Sequence, residues 1–342
     1  MKKLISLLLS VLMIFPFTMI SFAEDMEYTK KTNEINIRDP YVLVSDGKYY
    51  MYGTGAAKGP GYGCYVSEDL ENWAGPFNVF SAPEGFDGTK QFWAPECHYY
   101  NGNYYLFATY FSSSAQHRGV SVFRADNPLG PFTEISDGHI TDHTQDAIDG
   151  TLYVDESGQP WMIYVHEWTC MPDGEGAMDA VKLSDDLSHF ISEPVQLFKA
   201  KDPVWTDSFV TDGPFLYRTK YGKLLMLWSN NCDSGYCVGI AKSSDGTPDG
   251  KWLQSTTPVY KRNAKNTYDG GHGMLFETLD GKLMMCIHSP NSRKDDGTFE
   301  TAKFIEMLDT GYGLIPSSTP SFIVDIIEFF SNLIFKITNL WK

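Results

Sequence analysis

The chain has 342 residues, with 27 Lys and Arg against 43 Asp and Glu, a formal charge of −16. So acidic a surface repels nucleic-acid phosphates and anionic headgroups, which argues against nucleic acid as a partner and leaves neutral sugar open. Aromatic residues make up 15% of the chain, a share that suits both sheet packing and the stacking of sugar rings.

At the N-terminus, Lys2 and Lys3 precede an apolar stretch from Leu4 to Ile20, and Ser21-Phe22-Ala23 stands before Glu24-Asp25. That is the pattern of a secretory signal over residues 1–23, cleaved after Ala23, with an uncleaved membrane anchor as the other reading. Removing two lysines leaves 27 − 2 = 25 Lys and Arg, and 25 − 43 gives −18 for the mature chain. Secretion, with or without attachment to the cell surface, is expected.

Residues 24–316 carry an internal repeat. Five times an acidic residue or histidine opens an apolar run, a Gly-containing turn follows, and a second apolar run returns. The openings are Asp39, Glu96, Asp149, Asp212 and His272, spaced 57, 53, 63 and 60 residues apart. Such periodicity predicts an all-β fold, a five-bladed propeller with one small antiparallel sheet per repeat. Ser45-Asp46-Gly47, Asn101-Gly102-Asn103, Asp155 to Gly158, Lys220-Tyr221-Gly222 and Asp280-Gly281 supply the hairpin turns. Outer strands follow, marked by segments such as Ser67-Glu68-Asp69-Leu70 with Trp73 and Ser184-Asp185-Asp186-Leu187 with Phe190.

The first strand of a propeller blade lines the central channel, so the five opening residues should meet at one mouth. The returning strands should bring Thr54, Tyr110, His166 with Glu167, Asn230 and His288 to the same rim. Several carboxylates in one pocket imply acid and base roles with pKa values pushed apart. Six cysteines are scattered without metal-ligand spacing; Cys232 and Cys237, flanking a turn, are the one pair placed for a disulfide. Residues 317–342 read as a short linker and an amphipathic C-terminal helix, which packs on the propeller, binds a partner, or lies on a membrane surface.

Arg38-Asp39-Pro40, Trp93-Ala94-Pro95-Glu96, Ile148-Asp149-Gly150 and Gly271-His272-Gly273-Met274 resemble, in that order, the motifs of glycoside hydrolase family 43, over roughly residues 33–310. The resemblance implies five-bladed inverting enzymes that act on arabinan, arabinoxylan, xylan fragments and some galactans. It implies Asp39 as general base and Asp149 as the group that modulates pKa and orients. The family's general acid is a Glu before Gly-Pro, where this chain has Asp212 before Gly213-Pro214. Asp is one methylene shorter, and a misplacement of about an ångström can cost on the order of a hundredfold in rate. Glu167 is the competing candidate for the acid. Trp93, Phe92, Glu96, His166, Asn230, His288 and Arg293 are candidate sugar contacts. His272 is expected on the channel axis, either near a structural, largely water-held Ca²⁺ or as a hydrogen-bonded histidine without metal. No cofactor is required for the chemistry.

The resulting expectation is a secreted inverting glycosidase of arabinofuranosidase, xylosidase or arabinanase type, acting on arabinose- or xylose-containing plant polysaccharide or oligosaccharide. A noncatalytic carbohydrate-binding propeller and a retaining fructan-type enzyme are the alternatives. The choice of pentose, and of exo or endo action, is left to loops at Ser112–Arg118, Thr141–Ala147 and Met171–Ala177.

Overall fold

The structure is a computed structural model that describes residues 26–339; the expected signal at 1–23 lies outside them. Five separate antiparallel sheets follow one another along the chain, each a meander of four strands, with a fifth short strand, Lys30–Lys31, added to the outer edge of the first. Their first strands are Arg38–Ser45, Gly88–Tyr100, Ala147–Val154, Asp212–Arg218 and Gly271–Glu277. This is the five-bladed propeller expected from the repeat.

Local chemistry explains the hairpins. Asp46-Gly47 and Asn101-Gly102 both have positive φ at both residues, 49° and 71°, then 46° and 83°. Two-residue turns of that kind match the right-handed twist of the strands they join, here paired through Ser45 with Lys48 and Tyr100 with Asn103.

The hydrophobic core lies between neighbouring blades rather than within any one. One buried cluster joins blades one, two and five through residues such as Tyr52, Trp73, Leu106 and Met274. Others join two with three, three with four, and four with five. Tyr49 meets Phe276 edge-on at 6.1 Å, and the Ile37 amide donates to the Glu300 carbonyl at 3.0 Å, which closes the ring between blades five and one.

Every first strand contains a bulge at the same place. Pairing with the second strand skips two residues after Arg38, Ile148, Asp212 and Gly271, and shifts likewise between Trp93 and Glu96. The residue after each of these five has positive φ: Asp39 51°, Ala94 42°, Asp149 55°, Gly213 49° and His272 55°. Bulges and left-handed backbone are costly and collect where a strand must re-aim a side chain. They also correct the repeat register. The equivalent residues are Asp39, Ala94, Asp149, Gly213 and His272, so Asp212 stands one position before its expected equivalents and Glu96 two positions after. Acidic side chains suggested one shared position, but backbone geometry defines the equivalence.

Among the described residues one helix, Ser321–Asn339, follows the propeller, and no helix is long and apolar enough to cross a membrane. Its contact with the propeller includes Phe335 stacked on Tyr221 at 4.1 Å and the Tyr221 hydroxyl donating to Asn332. Phe322, Ile326, Phe329 and Phe330 stay exposed. All six cysteines are free thiols, Cys232 and Cys237 included, so the expected bridge is not formed.

Candidate active site

A cavity of about 420 Å³ opens at the end of the channel where the first strands begin. Its walls are built from the bulges: Arg38 and Asp39 from blade one, Trp93 from two, Ile148 and Asp149 from three, Asp212 from four and His272 from five. Thr54, Glu167 and Tyr236 complete it from returning strands and their ends. A larger cavity of about 510 Å³ lies on the flank of blades four and five, but its lining, which includes Leu225, Ile240 and Leu314, contains no carboxylate. Chemistry rather than size identifies the site.

Asp39 is enclosed by donors and cations. The Thr54 hydroxyl donates to its Oδ2 at 2.7 Å and is itself fixed by accepting from the Ala94 amide at 2.8 Å. His272 Nδ1 lies 3.2 Å from Oδ1. Burial alone would raise its pKa, but the charge and hydrogen bond of His272, with Arg38 beyond, hold it well below the usual carboxylate range. His288 stands beneath: burial pushes it down to about 4, so it is neutral. Its Nδ1 accepts from the Asp39 amide at 3.1 Å and its Nε2 pairs with Asn291 Oδ1 at 3.1 Å. The 3.4 Å approach of that same Nδ1 to the Asp39 carboxylate is therefore not an ion pair.

His272 is the reverse case. Burial disfavours its charge, yet Asp39 and Asp149, the latter 3.8 Å away, lift it to about 10, which makes it an imidazolium between two carboxylates. Among the described residues no group of three or more His, Cys, Asp or Glu is arranged to hold a metal. These side chains do not by themselves form a calcium cage.

Asp149 accepts from the Gly213 amide at 3.0 Å, and its own amide donates to Thr109 Oγ1 at 3.1 Å. Burial raises it to about 6, with His272 opposing and Asp39 adding. Gly213 has to be glycine here: a Cβ on it would stand 2.7 Å from the His272 ring. Asp212 makes no direct ion pair among the described residues, although the His272 charge opposes its shift. Its Oδ2 accepts a hydrogen bond of 2.9 Å from the Tyr236 hydroxyl, and burial followed by the Asp149 charge pushes its pKa well above the ordinary value. One cavity thus holds a carboxylate pushed toward its ionised form and another pushed toward its protonated form.

Of the expected sugar contacts, Trp93 lines the cavity, with the Arg118 guanidinium 5.6 Å over its ring. Glu167 does too, its Oε2 2.7 Å from Arg118 Nη2; burial raises its pKa while Arg118 opposes. The others stand off the wall. Glu96, displaced by the register, is buried against His98 at 3.3 Å. Phe92 packs on Tyr62, Phe86 and Tyr110. His166 points to Asp179 at 3.6 Å, and Asn230, fully buried, donates to the Ala200 carbonyl and accepts from the Asn231 amide. Arg293 lies over Phe299 at 5.8 Å. The assumption that failed is that a strand end at the rim faces the pocket; half of such side chains point into the blade interface.

Sequence reading missed Tyr236, which stacks on His288 at 5.6 Å while holding Asp212. The residue that could have exposed it is Gly271, whose Cβ would fall 2.4 Å from the Tyr236 ring. Arg38, which donates to the Asn291 carbonyl and side chain, was visible only as part of a motif.

The profile of Glycosyl hydrolases family 43 matches residues 29–307. An extracellular exo-α-(1→5)-L-arabinofuranosidase of Cellvibrio japonicus is 25% identical over 75% of this chain and 79% of its own. An extracellular endo-α-(1→5)-L-arabinanase of Bacillus subtilis is 24% identical over 71% and 73%. Among solved structures, an endo-arabinase from Bacteroides thetaiotaomicron superposes with a TM-score of 0.74 at 34% identity, covering 82% of this chain and 98% of that one. A five-bladed ring, a pocket of opposed carboxylates and a profile that spans most of the chain agree: this glycoside hydrolase belongs to glycosyl hydrolases family 43.

Proposed function

We propose that the protein is a secreted enzyme that hydrolyses α-1,5-linked arabinan or its oligosaccharides with inversion at the anomeric carbon. Most of the relatives' names point to arabinan, and an endo-1,4-β-xylanase from Bacteroides thetaiotaomicron, 28% identical, keeps xylan as the second reading. The observation that carries the mechanism is the opposed pKa shift of Asp39 and Asp212 in one cavity. Asp39 takes a proton from water as its oxygen bonds to the anomeric carbon; Asp212 gives its proton to the glycosidic oxygen as the carbon–oxygen bond breaks. Asp149 keeps Asp212 protonated by like-charge repulsion, and proton exchange with solvent resets the pair.

Asp212 is favoured over Glu167 as the acid because Glu167 is in a direct ion pair with a guanidinium, which stabilises its ionised form, whereas the direct contact of Asp212 is a hydroxyl, and burial with the Asp149 charge outweighs the opposing charge of His272. The Tyr236 hydroxyl holds the short Asp212 carboxyl in one orientation. The test compares arabino-oligosaccharides with an aryl arabinofuranoside bearing a good leaving group. The variant lacking the true acid keeps activity on the aryl substrate and loses the oligosaccharide; if Glu167→Ala behaves so and Asp212→Ala does not, the roles exchange. Proton NMR of the first-formed sugar checks inversion. A noncatalytic binder would show oligosaccharide binding with no reducing sugar released.

Two expectations stay within this proposal. A water-held Ca²⁺ beside His272 would appear by elemental analysis and lower the melting temperature on chelation; no step above uses it. Attachment through the C-terminal helix rests on its exposed apolar side, and liposome flotation with and without residues 317–342 tests it.

A further inference from the structure

Beside the cavity, two large aromatic rings face solvent. Trp168 is 38% and Phe209 42% exposed, and their centroids lie 4.6 Å apart at 56°. Neither is explained by the core, since neither belongs to its buried clusters. Water-exposed aromatic surface costs free energy that a bound apolar face would recover.

Both rings stand on pinned backbone. Trp168 follows the cavity residue Glu167 in a tight turn: the Glu167 amide donates to the Asp146 carbonyl at 2.9 Å and the Met171 amide to the Trp168 carbonyl at 3.3 Å. Thr169 Oγ1 ties that turn to Asp146 Oδ2 at 3.1 Å. Phe209 precedes Asp212 by three residues, and its carbonyl accepts from the Gly176 amide at 2.8 Å. Gly176 has no room for a side chain, since its Cβ would lie 2.5 Å from Thr211 Oγ1 and 3.0 Å from the Phe209 carbonyl. Rings fixed in advance lose little freedom on binding a ligand.

Position gives direction. In a ring of five blades, the junction of blades three and four lies opposite blade one. Trp168 comes two residues after the second strand of blade three and next to the cavity residue Glu167, and Phe209 comes three residues before Asp212, so the pair stands at the junction of blades three and four, outside the cavity wall and on its Asp212 side. An acid protonates the oxygen that leaves, and the departing chain extends past it.

The geometry points to Trp168 and Phe209 as a stacking platform for a neutral pentose unit on the leaving side of the bond that is cut. It rests on the hydrolase reading above for its orientation but not for binding itself. The C–H faces of a pentose match aromatic faces, and the acidic surface disfavours a charged alternative.

The test titrates arabinohexaose into Asp39→Asn enzyme by calorimetry, with and without Trp168→Ala or Phe209→Ala, alongside kinetics in the active background. Each substitution is expected to raise Kd about tenfold, the scale of one lost aromatic contact, and to raise KM on the hexaose more than it lowers kcat. Trp168→Phe should recover most of the loss, which a merely structural role would not predict to track ligand affinity. Leu279→Ala, another exposed apolar residue far from the cavity, should leave Kd unchanged. An unchanged Kd in Trp168→Phe, Trp168→Ala and Phe209→Ala alike overturns the platform while cleavage by the parent enzyme keeps the reaction. Loss of binding without any cleavage by the parent keeps the platform and overturns the reaction.

Discussion

Asp39 and Asp212 reach the same cavity from strands of the same design, yet their surroundings drive them apart. Asp39 is given a hydroxyl donor, an imidazolium and a guanidinium behind it; Asp212 is given a tyrosine hydroxyl and a neighbouring carboxylate. Burial alone would protonate both. What separates them is which groups the adjoining blades place within reach, and under the proposed mechanism it is these neighbours, rather than residue type, that distinguish base from acid.

The largest way to break this contrast is to remove either member. Asp39→Asn and Asp212→Asn should each lower kcat on arabino-oligosaccharides about a hundredfold to ten-thousandfold, with the fold retained by circular dichroism. Replacing the cation beside Asp39 comes next. His272→Gln removes the positive charge that depresses Asp39, so the acid limb of the kcat/KM profile should move to higher pH. Stability should follow the sign of the same pairing. His272, raised from 6.5 to about 10 in the fold, stabilises in full below about 6.5 and loses that contribution as pH rises through about 10. Asp39, depressed from 3.8, stabilises above that value and loses its contribution as pH falls. The melting difference between parent and His272→Gln should therefore be widest between about 4 and 6.5.

Asp149→Asn sharpens the other side: with the like charge gone, Asp212 loses its proton more readily and the basic limb should shift to lower pH, measured on the same profile. Tyr236→Phe should cost about tenfold in kcat, since it frees the carboxyl without removing it, and should shift the basic limb upward because the lost hydrogen bond favoured the ionised form. Smallest is deletion of residues 317–342, which should leave kcat and KM on soluble oligosaccharide unchanged.

Much of this was legible in the sequence, for identifiable reasons. Hairpin turns such as Asp46-Gly47 and the spaced apolar runs are local signals, and they yielded the five blades. Asp39, Asp149 and Asp212 were found because each stands at or within two residues of the start of a first strand, just ahead of its apolar run. The register between blades was not legible, because Glu96 and Asp212 imitate the acidic opening while the bulge is a backbone property with no side-chain signature, occupied here by Asp, Ala, Asp, Gly and His. Tyr236 was hidden for a different reason: it comes from the third strand of blade four and reaches the pocket only because Gly271 lies under its ring. Contacts between strands distant in sequence leave no periodic trace.

The five matching kinks separate two jobs that most proteins entangle. The pocket is furnished at the kinks, while the greater part of the interblade packing lies further along the strands, so an exchange at a kink acts on the hollow first. The freedom is unequal around the ring, because Gly213 has no room for a side chain and Ile148 belongs to the packed interior, which leaves some fifths of the circumference open to change and others locked.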